Sequence, residues 1–110
     1  MKPADVVQAQ LEAYNGQDLE RFCACFGAEA VLAEFGGAVT HAGLEAVRQR
    51  YASLFAEHPG NRARLVCRMA VGDVVIDDEE IVRGPETPLF RAIAIYTVKN
   101  GLITRVDFVR

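Results

Sequence analysis

The first half of the chain carries apolar residues at helical spacing in three segments. Asn15-Gly16 separates the first two segments, and Asp18 is a residue type that caps helix N-termini, so two short helices are predicted on either side of this point. A third helix is predicted over about 44–55, where one face is apolar and the other is charged. The three apolar faces consist of Val7, Leu11 and Tyr14; Leu19, Phe22, Cys23 and Phe26; and Leu44, Val47, Tyr51, Leu54 and Phe55.

The second half of the chain changes to the alternating pattern of β-strands. Gly72-Asp73 and Asn100-Gly101 have the composition of two-residue hairpin turns, and residues 84–88 form a longer loop. A short strand at about 30–35, followed by a turn at Gly36-Gly37, is predicted between the second and third helices. This order of elements indicates an α+β domain in which three N-terminal helices pack on a curved antiparallel sheet. The four later strands are predicted over about 62–71, 74–83, 89–98 and 102–109.

Length and composition favour a single domain over residues 1–110. Of the 110 residues, 51% are apolar, which is enough for one core, and no linker or repeat divides the chain. The net charge is −3 and the arginines are scattered among acids, which argues against a nucleic-acid-binding surface. No apolar stretch is long enough to span a bilayer, and the first residues lack the apolar core of a signal peptide. We therefore expect a cytoplasmic protein without membrane contacts.

Cysteine and histidine usage predicts neither a disulfide nor a metal site. Cys23 and Cys25 lie two apart in a predicted helix and therefore point in different directions. Free cysteine behaves as a small hydrophobic residue, so we expect these two and Cys67 to be buried. No group of His, Cys and carboxylate residues has the spacing of a zinc site, and no motif indicates a cofactor.

Four consecutive acids lie on the second strand of the predicted meander, and strand alternation divides them into two pairs. With a two-residue turn before them, Asp77 lies opposite Arg68, and Asp77 and Glu79 have ordinary cross-strand partners, which indicates a structural role. Asp78 and Glu80 share a face with apolar residues and no basic residue, which favours a raised pKa and a role in acid–base catalysis. The alternative is that both acids reach water near an open edge, and a β-bulge would change the division.

The last predicted hairpin also has two unlike faces. One face is wholly apolar, and the other carries Tyr96 and Asp107 beside small alanines, which would leave room for a ligand or suit a flat interface. Neither face has the composition of a fully solvated surface, so we expect the helices to cover one and a second subunit to cover the other, in a homodimer. The pattern leaves open which face lines a cavity. The first face consists of Ile93, Ile95, Val106 and Phe108, and the second of Ala92, Ala94, Tyr96, Arg105, Asp107 and Val109.

Together these segments resemble the nuclear transport factor 2-like (NTF2-like) superfamily, in particular its SnoaL-like and steroid delta-isomerase-like small proteins. The resemblance covers nearly the whole chain and rests on Tyr14 to Phe22, Gly43 to Phe55, Ala94 to Tyr96 and Gly101 to Ile103. It implies a cone-shaped fold, in which a curved sheet and three helices enclose a mostly apolar cavity, frequently in a homodimer.

The resemblance also points to candidate site residues. Ketosteroid isomerases of this superfamily use an Asp base together with a Tyr and a protonated Asp that stabilise the oxyanion. Aligned through Asn15 to Leu19, the base position falls on Glu34, for which a solvent-facing strand position is the alternative interpretation. The Tyr position falls on Gln10 and the late Asp on Ala94 or Ile95, so the resemblance does not imply steroid isomerisation itself.

The resulting hypothesis is a protein that binds a small, largely apolar molecule and moves a proton. Glu34 would abstract a proton next to a carbonyl or activate water, and Asp78 would be its partner acid. Isomerase-like, hydrolase-like and dehydratase-like chemistry are all compatible with such a pair. So are two functions without chemistry: a ligand-binding or accessory module, and a structural dimer whose cavity is filled by its own side chains. The residues expected to bind or orient the ligand are Gln10, Tyr14, Tyr96 and Asp107.

Overall fold

The computed structural model describes residues 1–110 and contains three helices and six strands. The four strands of the predicted meander are present, with ends within one residue of the prediction. Phe26 belongs to the first strand and not to the second helix, so that helix is shorter than predicted. The elements are α1 (Pro3–Asn15), α2 (Leu19–Ala24), β1 (Phe26–Glu34), β2 (Val39–Ala42), α3 (Leu44–Glu57), β3 (Arg62–Val71), β4 (Val74–Val82), β5 (Phe90–Lys99) and β6 (Leu102–Val109).

Local sequence signals set the turns and the start of α2. Asn100 (φ 52°) and Gly101 (φ 79°) both have positive φ, as the central residues of a type I′ turn require. In the β3–β4 turn only the first central residue, Gly72 (φ 58°), does so, which fits a type II′ turn. Asp18 caps α2 as predicted, because its Oδ1 accepts a hydrogen bond of 3.1 Å from the backbone N–H of Arg21.

The six strands form one curved, unclosed sheet in the order β2-β1-β6-β5-β4-β3. β1 and β6 pair in parallel, and all other neighbours are antiparallel. The sheet is therefore antiparallel, as expected, in every pairing except this one. A parallel pair needs a long crossover, and the chain between β1 and β6 supplies it through α3 and the β3–β5 meander.

The helices cover one face of the sheet, which we call the inner face; the opposite one is the outer face. A cluster of 23 buried apolar residues joins the three helices to the inner face. At its centre four rings, those of Tyr14, Phe22, Tyr51 and Phe55, lie with centroids 4.4 to 6.2 Å apart, mostly tilted or edge-on. None of the helices has both the length and the apolar character needed to cross a bilayer.

The cysteines are free, and their burial differs from the expectation at one position. Cys23, a residue of α2, is buried, and Cys25 is half-buried. Cys67 is exposed, because its strand partner Asp78 lies on the outer face. The predicted burial of Cys67 is therefore wrong.

The position of the helices decides which two of the four acids are buried. A β-bulge in β3 changes the residues that lie opposite them. Asp77 lies opposite Arg68 as predicted, but the register shifts at Val66, so that Glu79 lies opposite Leu65. Asp77 and Glu79 are on the inner face and are 0% and 7% exposed. The prediction that the other pair faces the apolar interior is wrong.

Asp78 lies on the outer face, where Arg91 binds it through two hydrogen bonds of 3.0 and 2.5 Å. Its apolar companions on that face remain exposed: Met69 is 59% exposed and Val71 is 84% exposed. Strand alternation separates the two faces of a sheet but does not identify the face that the helices cover. The two pairs of acids are therefore divided as predicted but lie on the opposite sides, and Arg64, opposite Glu80, is a basic residue that the prediction did not place on this face.

A second bulge, in β6, turns the side chains of part of that strand to the face opposite to the predicted one. Val98 pairs with Ile103 but Thr97 pairs with Arg105, which leaves Thr104 as the extra residue. Beyond the bulge, Tyr96 pairs with Val106 on the inner face. Asp107 pairs with Ile95 on the outer face and forms an ion pair with Arg105. The expectation that Tyr96 and Asp107 share a face is therefore wrong.

Candidate functional site

Two adjacent spaces lie between the helices and the inner face. The first, the inner cavity, has a volume of about 40 Å³ and lies under α1 and α3. The second, the outer hollow, has a volume of about 110 Å³ and lies at the C-terminal ends of β1 and β6. Both spaces are lined by Arg50, Tyr51, Phe108 and Arg110, which form the boundary between them. The residues of the inner cavity used below are Gln10, Tyr14, Glu79, Arg83, Ala92 and Tyr96.

Glu79 supplies the only carboxyl group among the residues that line the inner cavity. It projects from the middle of β4 between Leu65 on β3 and Ala92 on β5, an apolar and a very small neighbour that leave space above the carboxyl group. Burial raises the pKa of Glu79 to about 7, the charge of Asp77 adds to this effect, and Arg68 opposes it. A carboxyl group with this pKa is present in both protonation states near neutral pH.

Arg68 forms no hydrogen bond with Glu79, because its guanidinium group is oriented toward Asp77 and Gln8. Its Nε and Nη2 donate to the two carboxylate oxygens of Asp77 at 2.7 and 2.9 Å, and its Nη1 donates to Oε1 of Gln8 at 2.8 Å. This network ties β3 and β4 to α1. It also holds the buried carboxylate of Asp77 two residues from Glu79, on the same face of β4.

α1 brings Tyr14 and Gln10 to the cavity, and Asn15 holds its end in place. The Asn15 side chain donates to the carbonyl of Ala63 at 2.9 Å and accepts from the N–H of Ala63 at 2.8 Å. One residue earlier, the Tyr14 hydroxyl accepts a hydrogen bond of 3.2 Å from Nη1 of Arg83, so its own proton is free to be donated. Gln10 is 5% exposed, and its buried Oε1 has no hydrogen-bond donor in the protein.

Tyr96 completes the inner cavity from β5. It is 4% exposed, and burial together with the nearby Glu79 raises its pKa well above the ordinary value. The hydroxyl therefore stays protonated and can act as a hydrogen-bond donor toward the cavity. Small residues on the same face of β5, Ala92 and Ala94, leave the space in front of these polar groups.

Glu34 lies in the outer hollow and not in the inner cavity. Its side chain is 51% exposed, and its Oε1 accepts a hydrogen bond of 3.0 Å from Nη1 of Arg110. The apolar enclosure expected around this acid is absent, and its surroundings are polar. Catalysis by Glu34 stays a prediction.

The structure thus brings together part of the predicted set. Gln10, Tyr14 and Tyr96 line the inner cavity, with Glu34 at its entrance. Asp78 and Asp107 lie on the other side of the sheet, and neither lines the inner cavity or the outer hollow.

Glu79 is the residue that the sequence analysis did not select. Ala92, Ala94 and Tyr96 mark the inner face of the neighbouring strand, and pairing Glu79 with that face would have identified it.

The remaining surface offers no comparable arrangement. A depression of about 470 Å³ between α1 and α2 is larger, but it lies on the outside of the helices and contains no buried titratable carboxyl group. No group of three or more His, Cys, Asp or Glu side chains is arranged to hold a metal ion. The inner cavity with the outer hollow is therefore the candidate site.

Comparison with known proteins assigns the family. The model of the SnoaL-like domain matches residues 7–106, a range that contains all the residues lining the inner cavity except Phe108 and Arg110. The chain belongs to the SnoaL-like family. No curated protein matches it.

Solved structures agree with this assignment and with a nuclear transport factor 2-like fold. A cystatin-fold protein from Novosphingobium aromaticivorans is 30% identical, with a TM-score of 0.93 over 100% of this chain and 99% of that one. A putative polyketide cyclase from Sinorhizobium meliloti is 22% identical, with a TM-score of 0.81 over 96% of this chain and 94% of that one. A protein with a ketosteroid isomerase-like fold from Catenulispora acidiphila, in complex with trimethylamine, is 18% identical, with a TM-score of 0.81 over 100% and 87%.

Proposed function

We propose that this SnoaL-like protein is a cytoplasmic, isomerase-like enzyme that moves a proton at a carbon next to the carbonyl group of a small molecule. Glu79 is the acid–base group. The observation that carries the proposal is its carboxyl group, which faces the inner cavity, receives no hydrogen bond from Arg68 and has a pKa of about 7. Such a group can accept and return a proton near neutral pH. The names of two similar structures, a putative polyketide cyclase and a ketosteroid isomerase-like protein, agree with carbonyl chemistry.

The proposed reaction requires no cofactor. The ionised Glu79 takes a proton from the carbon next to the carbonyl group, and the electron pair of the broken C–H bond moves onto the carbonyl oxygen to give an enolate. The protonated Glu79 then returns the proton to the same or another carbon of the conjugated system. Return to a different carbon completes an isomerisation.

Hydrogen-bond donors beside Glu79 suit the negative oxygen of an enolate. The free proton of the Tyr14 hydroxyl, the Tyr96 hydroxyl and the amide of Gln10 are all available in the inner cavity. A donor placed at the position where charge develops contributes on the order of a hundredfold in rate. These groups replace the Tyr and protonated Asp that the steroid isomerases use.

The experiment is the exchange of carbon-bound protons in D₂O, followed by proton NMR with methyl 4-oxopentanoate as probe. The wild-type protein is expected to accelerate the loss of the signals next to the ketone. Glu79→Gln should lower this rate by about a hundredfold or more, because the acid–base group is gone. Glu80→Gln is the matched control, since Glu80 is the next residue of the strand and faces outward toward Arg64.

Two outcomes would contradict this assignment. Unchanged exchange in Glu79→Gln would remove Glu79 from the mechanism. Loss of exchange in Glu34→Gln, with Glu79→Gln unaffected, would instead favour the base that the sequence suggests.

A second candidate function is ligand binding without chemistry. It is favoured by the small volume of the inner cavity, about 40 Å³, and by the Glu34–Arg110 ion pair at its entrance. In that case the keto ester should raise the melting temperature of the wild-type protein and of Glu79→Gln equally. Neither protein should accelerate proton exchange.

A further inference from the structure

Two arginines lie at the boundary between the inner cavity and the outer hollow. Arg50 on α3 and Arg110 after β6 each line both the inner cavity and the outer hollow. Arg50 has no acidic partner among the ion pairs of the protein, and its guanidinium carbon lies 5.8 Å from the centroid of the Tyr51 ring. One positive charge at the entrance is therefore available to an anion.

Arg110 already holds a carboxylate. Its Nη1 donates to Oε1 of Glu34 at 3.0 Å, and its guanidinium carbon lies 4.7 Å from the centroid of the Phe108 ring. Glu34 contributes this single hydrogen bond from a side chain that is 51% exposed, so the contact is open to competition by another carboxylate. A guanidinium group binds a carboxylate most strongly through two parallel hydrogen bonds, which this pair does not use.

Deeper in the site, an unpartnered polar side chain faces the cavity. Gln10 is 5% exposed, lines the inner cavity, and its Oε1 has no donor. The buried Oε1 requires a donor such as a ligand hydroxyl, and the Nε2 of the same amide can donate to a ligand carbonyl. The inner cavity therefore suits an oxygen-bearing group better than a hydrocarbon.

The sizes of the two spaces limit what can occupy each. For comparison, a cavity of about 150 Å³ can hold a benzene molecule. The inner cavity of about 40 Å³ admits only the end of a ligand, and the outer hollow of about 110 Å³ receives the rest. A ligand with an oxygen at one end and a negative charge at the other matches this division.

We propose that the substrate is a small oxo acid, whose carbonyl end enters the inner cavity beside Gln10 and whose carboxylate replaces Glu34 on Arg110 and also contacts Arg50. This inference rests on the proposed function, because it places the reacting carbonyl group next to Glu79. It replaces the apolar ligand expected from the sequence with an anionic one. In this arrangement Glu34 competes with the substrate carboxylate for Arg110. Removing its charge should therefore strengthen substrate binding, whereas removing a catalytic base should stop turnover.

The test compares the binding of 4-oxopentanoate with that of its neutral methyl ester, by NMR titration of the isotope-labelled protein at neutral pH. The wild-type protein should bind the acid about tenfold or more tightly than the ester, since charge-assisted hydrogen bonds are the strong ones. Arg50→Gln and Arg110→Gln should each weaken acid binding about fivefold or more and leave ester binding unchanged. Arg21→Gln, which removes an exposed arginine far from the site, is the matched control.

The decisive variant is Glu34→Gln, which should bind the acid more tightly than the wild-type protein because Arg110 loses its internal partner. Glu29→Gln removes the same charge from an exposed position outside both spaces and should have no effect. Equal affinity for acid and ester, no measurable binding of either, or equal weakening of both by the arginine variants would overturn the inference. Proton exchange separates this inference from the proposed function. If the ester exchanges through Glu79 but the acid is not preferred, the proposed function stands and the oxo acid inference fails. If the acid binds but no exchange occurs, only the anion site remains.

Discussion

A single buried carboxyl group, that of Glu79, makes the stability of this protein depend on pH. Burial raises its pKa from 4.5 to about 7. Between these values the folded protein holds a proton that the unfolded chain has lost, so the free energy of unfolding falls as the pH rises from 4.5 through 7. Above pH 7 the cost of the buried charge reaches about 3 kcal/mol, because one pKa unit corresponds to about 1.4 kcal/mol. The group that we propose for the cavity chemistry thus opposes folding at the same pH.

Replacing this carboxyl group with an amide should therefore stabilise the protein in a pH-dependent way. Glu79→Gln is expected to raise the free energy of unfolding by up to about 3 kcal/mol at pH 8 and to leave it nearly unchanged at pH 4.5. Urea denaturation at the two pH values measures the difference. Glu80→Gln serves as control, since Glu80 lies on the outer face beside Arg64. A gain of the same size at both pH values would show that packing, and not protonation, is responsible.

At the scale of strands and helices, the local elements could be predicted from sequence and their faces could not. The Asn100-Gly101 turn and the Asp18 cap depend on residues within a few positions, and both are as predicted. The bulges at Val66 and Thr104 carry no glycine or proline to mark them, yet each shifts the register by one residue. A shift of one residue moves side chains between faces, as it does for Asp107. Glu79 was missed for a different reason, because strand alternation does not show which face of the sheet the helices cover.

The Thr104 bulge leads to a prediction about deletions. Thr104 has no partner in β5, so its removal closes the β5–β6 ladder and leaves Tyr96 opposite Val106. The deletion variant should fold, with a modest loss of stability of about 1–2 kcal/mol from the lost twist and the 3.3 Å hydrogen bond between the Thr104 hydroxyl and the carbonyl of Thr97. Circular dichroism during thermal unfolding measures this loss.

The control is the deletion of Ile95, which lies in a regular part of β5. Its removal turns either Ala94 or Tyr96 to the wrong face and should prevent folding. Similar damage from both deletions would contradict the assignment of Thr104 as the unpaired residue.

At the scale of the whole molecule, the outer face of the sheet has the character of an interface. Antiparallel sheets with one face packed on helices usually carry polar residues on the other, but here Met69, Val71 and Ile93 are exposed on it at 59%, 84% and 36%. The same face carries three ion pairs, Arg91–Asp78, Arg105–Asp107 and Arg64–Glu80, so the charges within these pairs balance. A two-fold interface uses the same patch on both subunits, and an exposed apolar face without unpaired charge at these positions suits such an interface.

We propose that a second copy of the chain covers this face, as the sequence leads us to expect. The purified protein should have twice the chain mass of 12.1 kDa in size-exclusion chromatography with light scattering. Ile93→Glu places a charge in the middle of the outer face and should give the monomer, since burying an unpaired carboxylate in an interface is strongly unfavourable. Phe35→Glu alters an equally exposed apolar residue, 64% exposed, at the β1–β2 turn away from the face, and should remain dimeric. A wild-type monomer, or a dimer that survives Ile93→Glu, would place the second copy elsewhere or remove it.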